Sequence, residues 1–185
     1  MSQSRSRPRR AAREQRVRIA LEVNGRRYVL EVPPQHTLLD VLRGHLGLLG
    51  TKESCREGVC GACTVLLDGR PVNACLLLGA SAGGRAVTTV ESLTEGDALH
   101  PLQQAFIECG AIQCGYCTPG MLLSAKALLA TCPMPTDEEI RRGLSGNLCR
   151  CTGYHKIVEA VRLAASRMAS GANRPAPDGG RAWER

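Results

Sequence analysis

The chain has 185 residues, a formal net charge of +7, ten cysteines and only 3% aromatic residues. This length allows one domain or two small ones. The charge lies mainly at the start, where residues 1–18 hold seven arginines against Glu14, while residues 19–169 hold 14 basic and 14 acidic side chains. A neutral body without interleaved aromatic residues argues against a nucleic-acid-binding protein. We expect residues 1–16 to form a disordered basic arm.

The arginine pair Arg9-Arg10 raises the question of a twin-arginine export signal. The apolar stretch that such a signal requires is missing, because residues 17–23 alternate apolar and polar side chains as a strand does. No run is long enough to span a bilayer. We therefore expect a cytoplasmic protein that does not contact membranes, in which cysteines serve metal ligation rather than disulfides.

The first elements are a predicted hairpin and a predicted helix. Residues 17–23 and 27–32 carry alternating apolar side chains on either side of Asn24-Gly25, a strong hairpin signal. After Pro33-Pro34, Thr37 is expected to cap a helix that continues to about residue 46 with a buried stripe of leucine and valine.

A cysteine-rich loop follows, with Cys55, Cys60 and Cys63 spaced as in plant-type ferredoxins that bind a [2Fe-2S] cluster. Gly58 and Gly61 allow this loop to bend sharply, because glycine tolerates positive φ and has no side chain to clash.

A second hairpin is expected to turn at Asp68-Gly69, between residues 64–67 and 71–74. It would return Cys75 opposite Cys63, so that Cys75 becomes the fourth ligand of the first site. A short strand at residues 86–90 completes a predicted ferredoxin-like β-grasp domain over residues 17–90.

The polar stretch 91–98 reads as an interdomain linker. Beyond it the sequence predicts a four-helix domain over residues 99–169, followed by a mobile tail at residues 170–185. The four helices are expected near residues 99–110, 118–131, 136–145 and 154–169. The overall fold class is therefore α+β.

The second set of cysteines is ambiguous by spacing alone. Cys109, Cys114 and Cys117 repeat the plant-type spacing, with Cys132 as an apparent fourth ligand. Thr118-Pro119 reads as an N-cap followed by proline in the first helical turn, however. A helix from Thr118 to about Thr131 spans about 20 Å, which places Cys132 far from Cys117.

A further helix, opened by Thr136 with Glu139 as a capping box, can run back antiparallel. That return predicts a second ligand set of four cysteines: Cys114, Cys117, Cys149 and Cys151. We expect Cys109 and Cys132 to be free, partly buried thiols. Structural zinc remains an alternative at both sites, although zinc sites usually show paired Cys-x2-Cys knuckles.

Three segments, Cys55–Val65, Gln113–Met121 and Gly146–Tyr154, resemble the small iron-sulfur subunit of molybdenum hydroxylases. This is the family of xanthine dehydrogenase, aldehyde oxidoreductase and carbon monoxide dehydrogenase. The resemblance covers residues 17–168. Val59 departs from a frequent form of the motif, in which glutamate occupies this position; it is not a ligand position.

The resemblance implies an electron-transfer subunit with two [2Fe-2S] clusters. A large partner would hold molybdopterin and substrate, and an FAD partner, a separate medium subunit or a fused domain, would pass electrons outward, in a heterotrimer or its dimer. Electrons would move from molybdenum through the second site to the first and then to FAD. Gln113 and Cys151 match positions that contact the pterin.

The chain itself carries no recognisable catalytic set or phosphate-binding loop, so catalysis is expected on a partner. The rival interpretation is a stand-alone ferredoxin that shuttles between partners. A simple plant-type ferredoxin is about half this length, and the second domain favours fixed assembly.

Overall fold

The computed structural model describes residues 15–94, 96 and 98–170. Most of the predicted basic arm, the predicted tail beyond Ser170 and two positions of the predicted linker lie outside the described residues.

A five-stranded sheet forms the first domain, with strand order β2-β1-β5-β3-β4. Its strands are β1 Val17–Val23, β2 Arg26–Val32, β3 Thr64–Leu67, β4 Arg70–Asn73 and β5 Ala86–Thr88. Both predicted hairpins are confirmed, since β1 pairs antiparallel with β2 and β3 with β4. β5 joins the two hairpins, parallel to β1 and antiparallel to β3. The strand predicted at 86–90 is shorter, because Val90–Ser92 forms a 3₁₀ turn.

Helix α1, Leu38–Asp40, continues as a π-helical segment over Val41–His45. Thr37 caps it as predicted, and its side chain and that of Asp40 form a reciprocal capping box. The buried stripe packs into the core of the first domain, together with the inner face of the sheet. Its members are Leu38, Leu39, Val41 and Leu42.

The second domain consists of four helices. They are α2 Pro101–Glu108, α3 Thr118–Thr131, α4 Asp137–Gly143 and α5 His155–Ala169. All four were predicted, and the capping box of Thr136 and Glu139 opens α4. One detail was wrong: the residue before α3 in the capping position is Cys117, not Thr118, and it makes no side-chain cap.

The two domains also pack directly on each other. Leu66 of β3 and Leu93 of the predicted linker are both buried in the core of the second domain. The sequence suggested that segment 91–98 is a polar linker, but its Leu93 is buried in the second domain. The domains are also joined directly, through the packing of Leu66. No helix in the described part of the chain is long and apolar enough to cross a membrane.

Candidate metal centres

The first candidate site lies in the loop between α1 and β3, next to the end of β4. The β3–β4 hairpin brings the ends of its strands together, since the amide of Ala74 donates to the carbonyl of Cys63 at 3.2 Å. The Cys63 thiol contacts the Cys75 thiol, and both side chains are buried. Cys55 contacts Cys60, and Cys60 lies close enough to Cys63 to interact electrostatically with it. All four predicted side chains therefore meet.

The loop is held in a sharply bent conformation. Arg56, Gly58 and Gly61 have positive φ angles of 56°, 76° and 68°. Arg56, a non-glycine residue in this region, is fixed by ion pairs to Asp40 at 2.8 Å and to Glu53 at 2.7 Å. Its side chain thus compensates for a backbone conformation that L-residues rarely adopt.

Hydrogen bonds and burial act in opposite directions on the thiols of this loop. The amides of Glu57 and Cys60 donate to the Cys55 sulfur at 3.4 and 3.5 Å, and with the Cys60 thiol they lower the pKa of Cys55 to about 6. Burial raises the pKa of Cys63 to about 12. Cys55 is therefore ready to bind as a thiolate, whereas Cys63 needs a nearby cation to lose its proton.

The second candidate site combines the loop between α2 and α3 with the loop between α4 and α5. The sulfur atoms of Cys114 and Cys151 lie 3.5 Å apart, and both residues are exposed. Cys117 contacts Cys149, and both are half-buried. Burial raises the pKa of Cys117 to about 12. The antiparallel return of α4 thus brings the four predicted side chains together.

Tyr154 and Thr152 position Cys149. The Tyr154 hydroxyl accepts from the amide of Cys149 at 2.8 Å and donates to the carbonyl of Asn147 at 3.2 Å. Thr152 Oγ1 lies 3.1 Å from the Cys149 sulfur. Burial acts to raise the pKa of Cys149, but its hydrogen bonds with the hydroxyl and amide of Thr152 help to leave the pKa below its ordinary value.

The sulfur contacts fit a two-iron cluster better than a single ion. A [2Fe-2S] cluster takes four cysteine thiolates, two on each iron, whereas structural zinc gathers four ligands around one point. The thiols lie in pairs, as in the contacts of Cys63 with Cys75 and of Cys117 with Cys149. All ten cysteines belong to the described residues, and none forms a disulfide.

A buried hydroxyl at the start of the first loop also fits a bound group. Thr51 Oγ1 is the only buried side-chain oxygen or nitrogen in the described residues without a hydrogen-bond partner. The loop closes beside it, where the amide of Lys52 donates to the carbonyl of Ala62. A buried hydroxyl without a protein partner marks a position where a water molecule or a bound group can complete the hydrogen bonding.

Cys109 and Cys132 each lie at the C-terminal end of a helix. Cys109 ends α2, where burial raises its pKa and its charged neighbours are Glu159 and Lys156. Cys132 follows α3, at the opposite end of this 14-residue helix from Cys117. That neither residue is a ligand stays a prediction.

We therefore expect Cys109→Ala and Cys132→Ala to keep full iron content and both cluster signals, because neither change touches the paired thiols. Iron analysis and electron paramagnetic resonance (EPR) of each purified variant check this. Cys117→Ala, in the same domain, is the matched positive control and should lose one cluster. Loss of a cluster in Cys109→Ala or Cys132→Ala would contradict this ligand assignment.

Contacts between the two sites were missed from the sequence. The Asn147 side chain bonds to Gly61, and the amide of Leu148 donates to the carbonyl of Cys60 at 2.8 Å. Tyr116, the residue before Cys117, donates its hydroxyl proton to the carbonyl of Glu53 in the first domain. The only signal in the sequence was the position of Asn147 and Leu148 in a cysteine motif.

Comparison with known proteins agrees with this architecture. Residues 21–83 match the family model described as a 2Fe-2S iron-sulfur cluster binding domain, and residues 89–162 match that of a [2Fe-2S] binding domain. The chain is 51% identical over 155 residues to the nicotinate dehydrogenase small FeS subunit of Eubacterium barkeri, covering 84% of this chain and 99% of that subunit.

Two further relatives extend the comparison. The nicotine 6-hydroxylase small subunit of Paenarthrobacter nicotinovorans is 56% identical over 146 residues, with 79% of this chain and 88% of that one covered. The crystal structure of quinoline 2-oxidoreductase from Pseudomonas putida 86 superposes with a TM-score of 0.82 at 45% identity, covering 85% of this chain and 99% of that one. With two matched iron-sulfur domains and relatives aligned over nearly their whole length, the chain belongs to the small [2Fe-2S] iron-sulfur subunits of the molybdenum hydroxylase family.

Proposed function

We propose that the chain is the electron-transfer subunit of a molybdenum hydroxylase complex, with a [2Fe-2S] cluster at each of its two thiol sites. The observation that carries this proposal is that two four-thiol sites lie in one chain and that their loops bond directly to each other. When bound, each cluster accepts and releases single electrons.

Eight cysteines would hold these clusters. The first site would use Cys55, Cys60, Cys63 and Cys75, and the second Cys114, Cys117, Cys149 and Cys151. Gly58 and Gly61 let the first loop wrap around its cluster, and the amides of Glu57 and Cys60 direct their N–H groups at the Cys55 sulfur. Such hydrogen bonds to ligand sulfurs favour the thiolate and tune reduction potential.

The ligand loops are connected by a short backbone route. The amide of Leu148, the residue before Cys149, donates to the carbonyl of Cys60 at 2.8 Å. One hydrogen bond therefore links a ligand residue of the first site to the residue next to a ligand of the second. This connection supports electron transfer between the sites within the chain.

The exposed edges of the two sites support separate partner contacts. Cys114 and Cys151 are exposed, and so is Gln113 beside them. We propose that this edge faces the large molybdopterin subunit and that Gln113 and Cys151 contact the pterin. At the first site, Val59 and Leu76 adjoin ligand cysteines and are each 63% exposed, and this apolar edge would face the FAD-bearing partner.

The three relatives described above are named for one substrate class, while aldehyde oxidoreductases are also among the relatives of this chain. Nicotinate, nicotine and quinoline, which appear in the names of the three relatives described above, are all nitrogen heterocycles. We propose a nitrogen heteroaromatic substrate, bound entirely by the large partner.

Ligation by reduced cysteines and assembly as a heterotrimer, or its dimer, would fit a cytoplasmic complex.

The proposal is tested on the chain alone and in its complex. The isolated chain should contain four iron and four acid-labile sulfide, be reducible by dithionite and show no turnover of heterocycles, aldehydes or carbon monoxide. Natively purified protein should elute with its partners on gel filtration. Two zinc ions per chain would indicate zinc sites. A two-cluster chain found without partners in cells would indicate a shuttling ferredoxin. Substrate turnover by the isolated chain would refute the subunit role.

A further inference from the structure

Asn147 lies at the contact between the two domains, two residues before Cys149. Its side chain is only 4% exposed. The amide nitrogen Nδ2 donates to the carbonyl of Gly61 at 2.9 Å and to Oγ1 of Thr64 at 3.1 Å, both in the first domain. Oδ1 accepts a 2.6 Å hydrogen bond from Ser124 on α3. One side chain therefore connects the first ligand loop to the helical domain.

The partners fix the orientation of this amide. A backbone carbonyl can only accept, so the atom that faces Gly61 must be nitrogen. The Thr64 hydroxyl donates its own proton to the same carbonyl at 2.7 Å and is therefore an acceptor for Asn147. Both amide protons are used, and the oxygen is held by Ser124. A fully satisfied buried network of this kind specifies one arrangement of the groups that it joins.

Each end of the network lies beside cluster ligands. Gly61 follows Cys60 directly and comes two residues before Cys63. At the other end, the backbone carbonyl of Asn147 accepts from Tyr154, whose hydroxyl also holds the amide of Cys149. A shift of the Asn147 side chain would therefore move one ligand loop relative to the other.

At this point the backbones of the two domains are so close that a side chain larger than that of glycine would not fit between them. A Cβ added at Gly61 would lie 2.2 Å from the carbonyl oxygen of Gly146, and one added at Gly120 would lie 2.4 Å from the carbonyl oxygen of Gly61. The backbones are in contact here, and the Asn147 hydrogen bonds to Gly61 and Thr64 lie at this same point of contact.

We propose that Asn147 is a positioning residue that fixes the separation and orientation of the two iron-sulfur sites and thereby sets the electronic coupling between them. The effect on electronic coupling rests on the proposed function, whereas the hydrogen bonds of Asn147 are contacts within this chain. A residue that only stabilised the fold would change unfolding without changing the coupling between the clusters.

The test compares Asn147→Ala with the wild-type full-length chain after reduction of both clusters. EPR should show the spin–spin interaction of two nearby reduced clusters in the wild type, and this interaction should weaken or become heterogeneous in the variant at unchanged iron content. Hydrogen exchange supplies a second readout. Protection of the Leu148 amide should fall by about tenfold, as expected when a buried hydrogen-bond network opens.

Asn73→Ala is the matched control. Asn73 also holds the first ligand loop through its amide, since Nδ2 donates to the carbonyl of Gly58 at 2.8 Å, but both residues belong to the first domain. This variant should leave the interaction between clusters and the protection of Leu148 unchanged. An equal effect of both substitutions would mean that the conformation of the first ligand loop, and not the contact between the domains, sets the coupling between the clusters.

Unchanged spin–spin interaction and unchanged Leu148 protection in Asn147→Ala would overturn the proposal. If Asn147→Ala loses its iron, Ser124→Ala serves as the test instead. It removes the hydrogen bond to Oδ1 but keeps the Asn147 side chain, so it should weaken the spin–spin interaction partially. An unchanged interaction in Ser124→Ala would overturn the proposal. A wild-type chain without iron-sulfur signals would instead contradict the proposed function, and Leu148 protection alone would then test the positioning role.

Discussion

Gly61→Ala should destabilise the chain by about 3 kcal/mol, which for this size lowers the melting temperature by roughly 10 °C. Two effects add. Gly61 has φ of +68°, which alanine adopts only with strain, and its added Cβ would lie 2.2 Å from the carbonyl oxygen of Gly146. The clash involves backbone, so a side-chain rotation cannot relieve it. Thermal unfolding followed by circular dichroism measures the change.

Gly69→Ala separates these two effects. Gly69 has φ of +78°, but a Cβ added there would meet nothing within 4 Å. This variant should cost only the conformational strain of about 1 kcal/mol. The difference between the two variants therefore reports the domain contact. Equal melting temperatures would show that the domains do not meet as closely as the structure places them.

The Gly61 variant should also lose iron from the first site, since Gly61 lies between Cys60 and Cys63. Gly120→Ala probes the same contact from the other side, in a helix where alanine is otherwise favourable. Its Cβ would lie 2.4 Å from the Gly61 carbonyl oxygen. It should therefore destabilise the chain, whereas an exposed helical glycine would gain stability from the same change. A stabilised Gly120→Ala chain would contradict the close approach.

Cys75→Ala should abolish the first cluster and greatly slow electron flow to flavin in the assembled complex. Cys75 is buried against Cys63, so no other described thiol can replace it without moving the hairpin. The second site should remain, because its thiols contact one another. After rapid mixing with substrate and freezing, EPR should show the second cluster reduced, while flavin reduction slows by orders of magnitude.

Cys132→Ala in the same complex is the control for cysteine removal as such. It should reduce flavin at the wild-type rate, because Cys132 ends α3 away from the paired thiols. The domain contact adds one requirement: the iron content of the second site must be verified in Cys75→Ala before its kinetics are interpreted. Wild-type flavin reduction after verified loss of the first cluster alone would show that electrons bypass this site.

The local elements could be predicted because their determinants are close in sequence. Asn24-Gly25 and Asp68-Gly69 adopt positive φ at both positions, the conformation that two-residue hairpins require. The cap residue Thr37 marked the start of α1, and the capping box of Thr136 and Glu139 marked the start of α4. Helix length alone removed Cys132 from the second ligand set, since rise per residue is a property of the backbone and not of packing.

The relation between the domains was not predictable in the same way. The polar appearance of residues 91–98 concealed Leu93, which is buried only because the helical domain packs against it. The extent of β5 likewise depends on both hairpins, since its register is set by β1 and β3 together.

The amino-acid sequence by itself determined the two domains' elements and the grouping of eight cysteines, because spacing, turn residues and helix length act over short distances along the chain. Only the tertiary structure decided how the two sites connect. Asn147 and Gly61 are 86 residues apart in sequence, and their hydrogen bond exists because two completed domains dock with their backbones in contact. Asparagine in a loop has many possible partners, and packing selects the one that joins the two ligand loops.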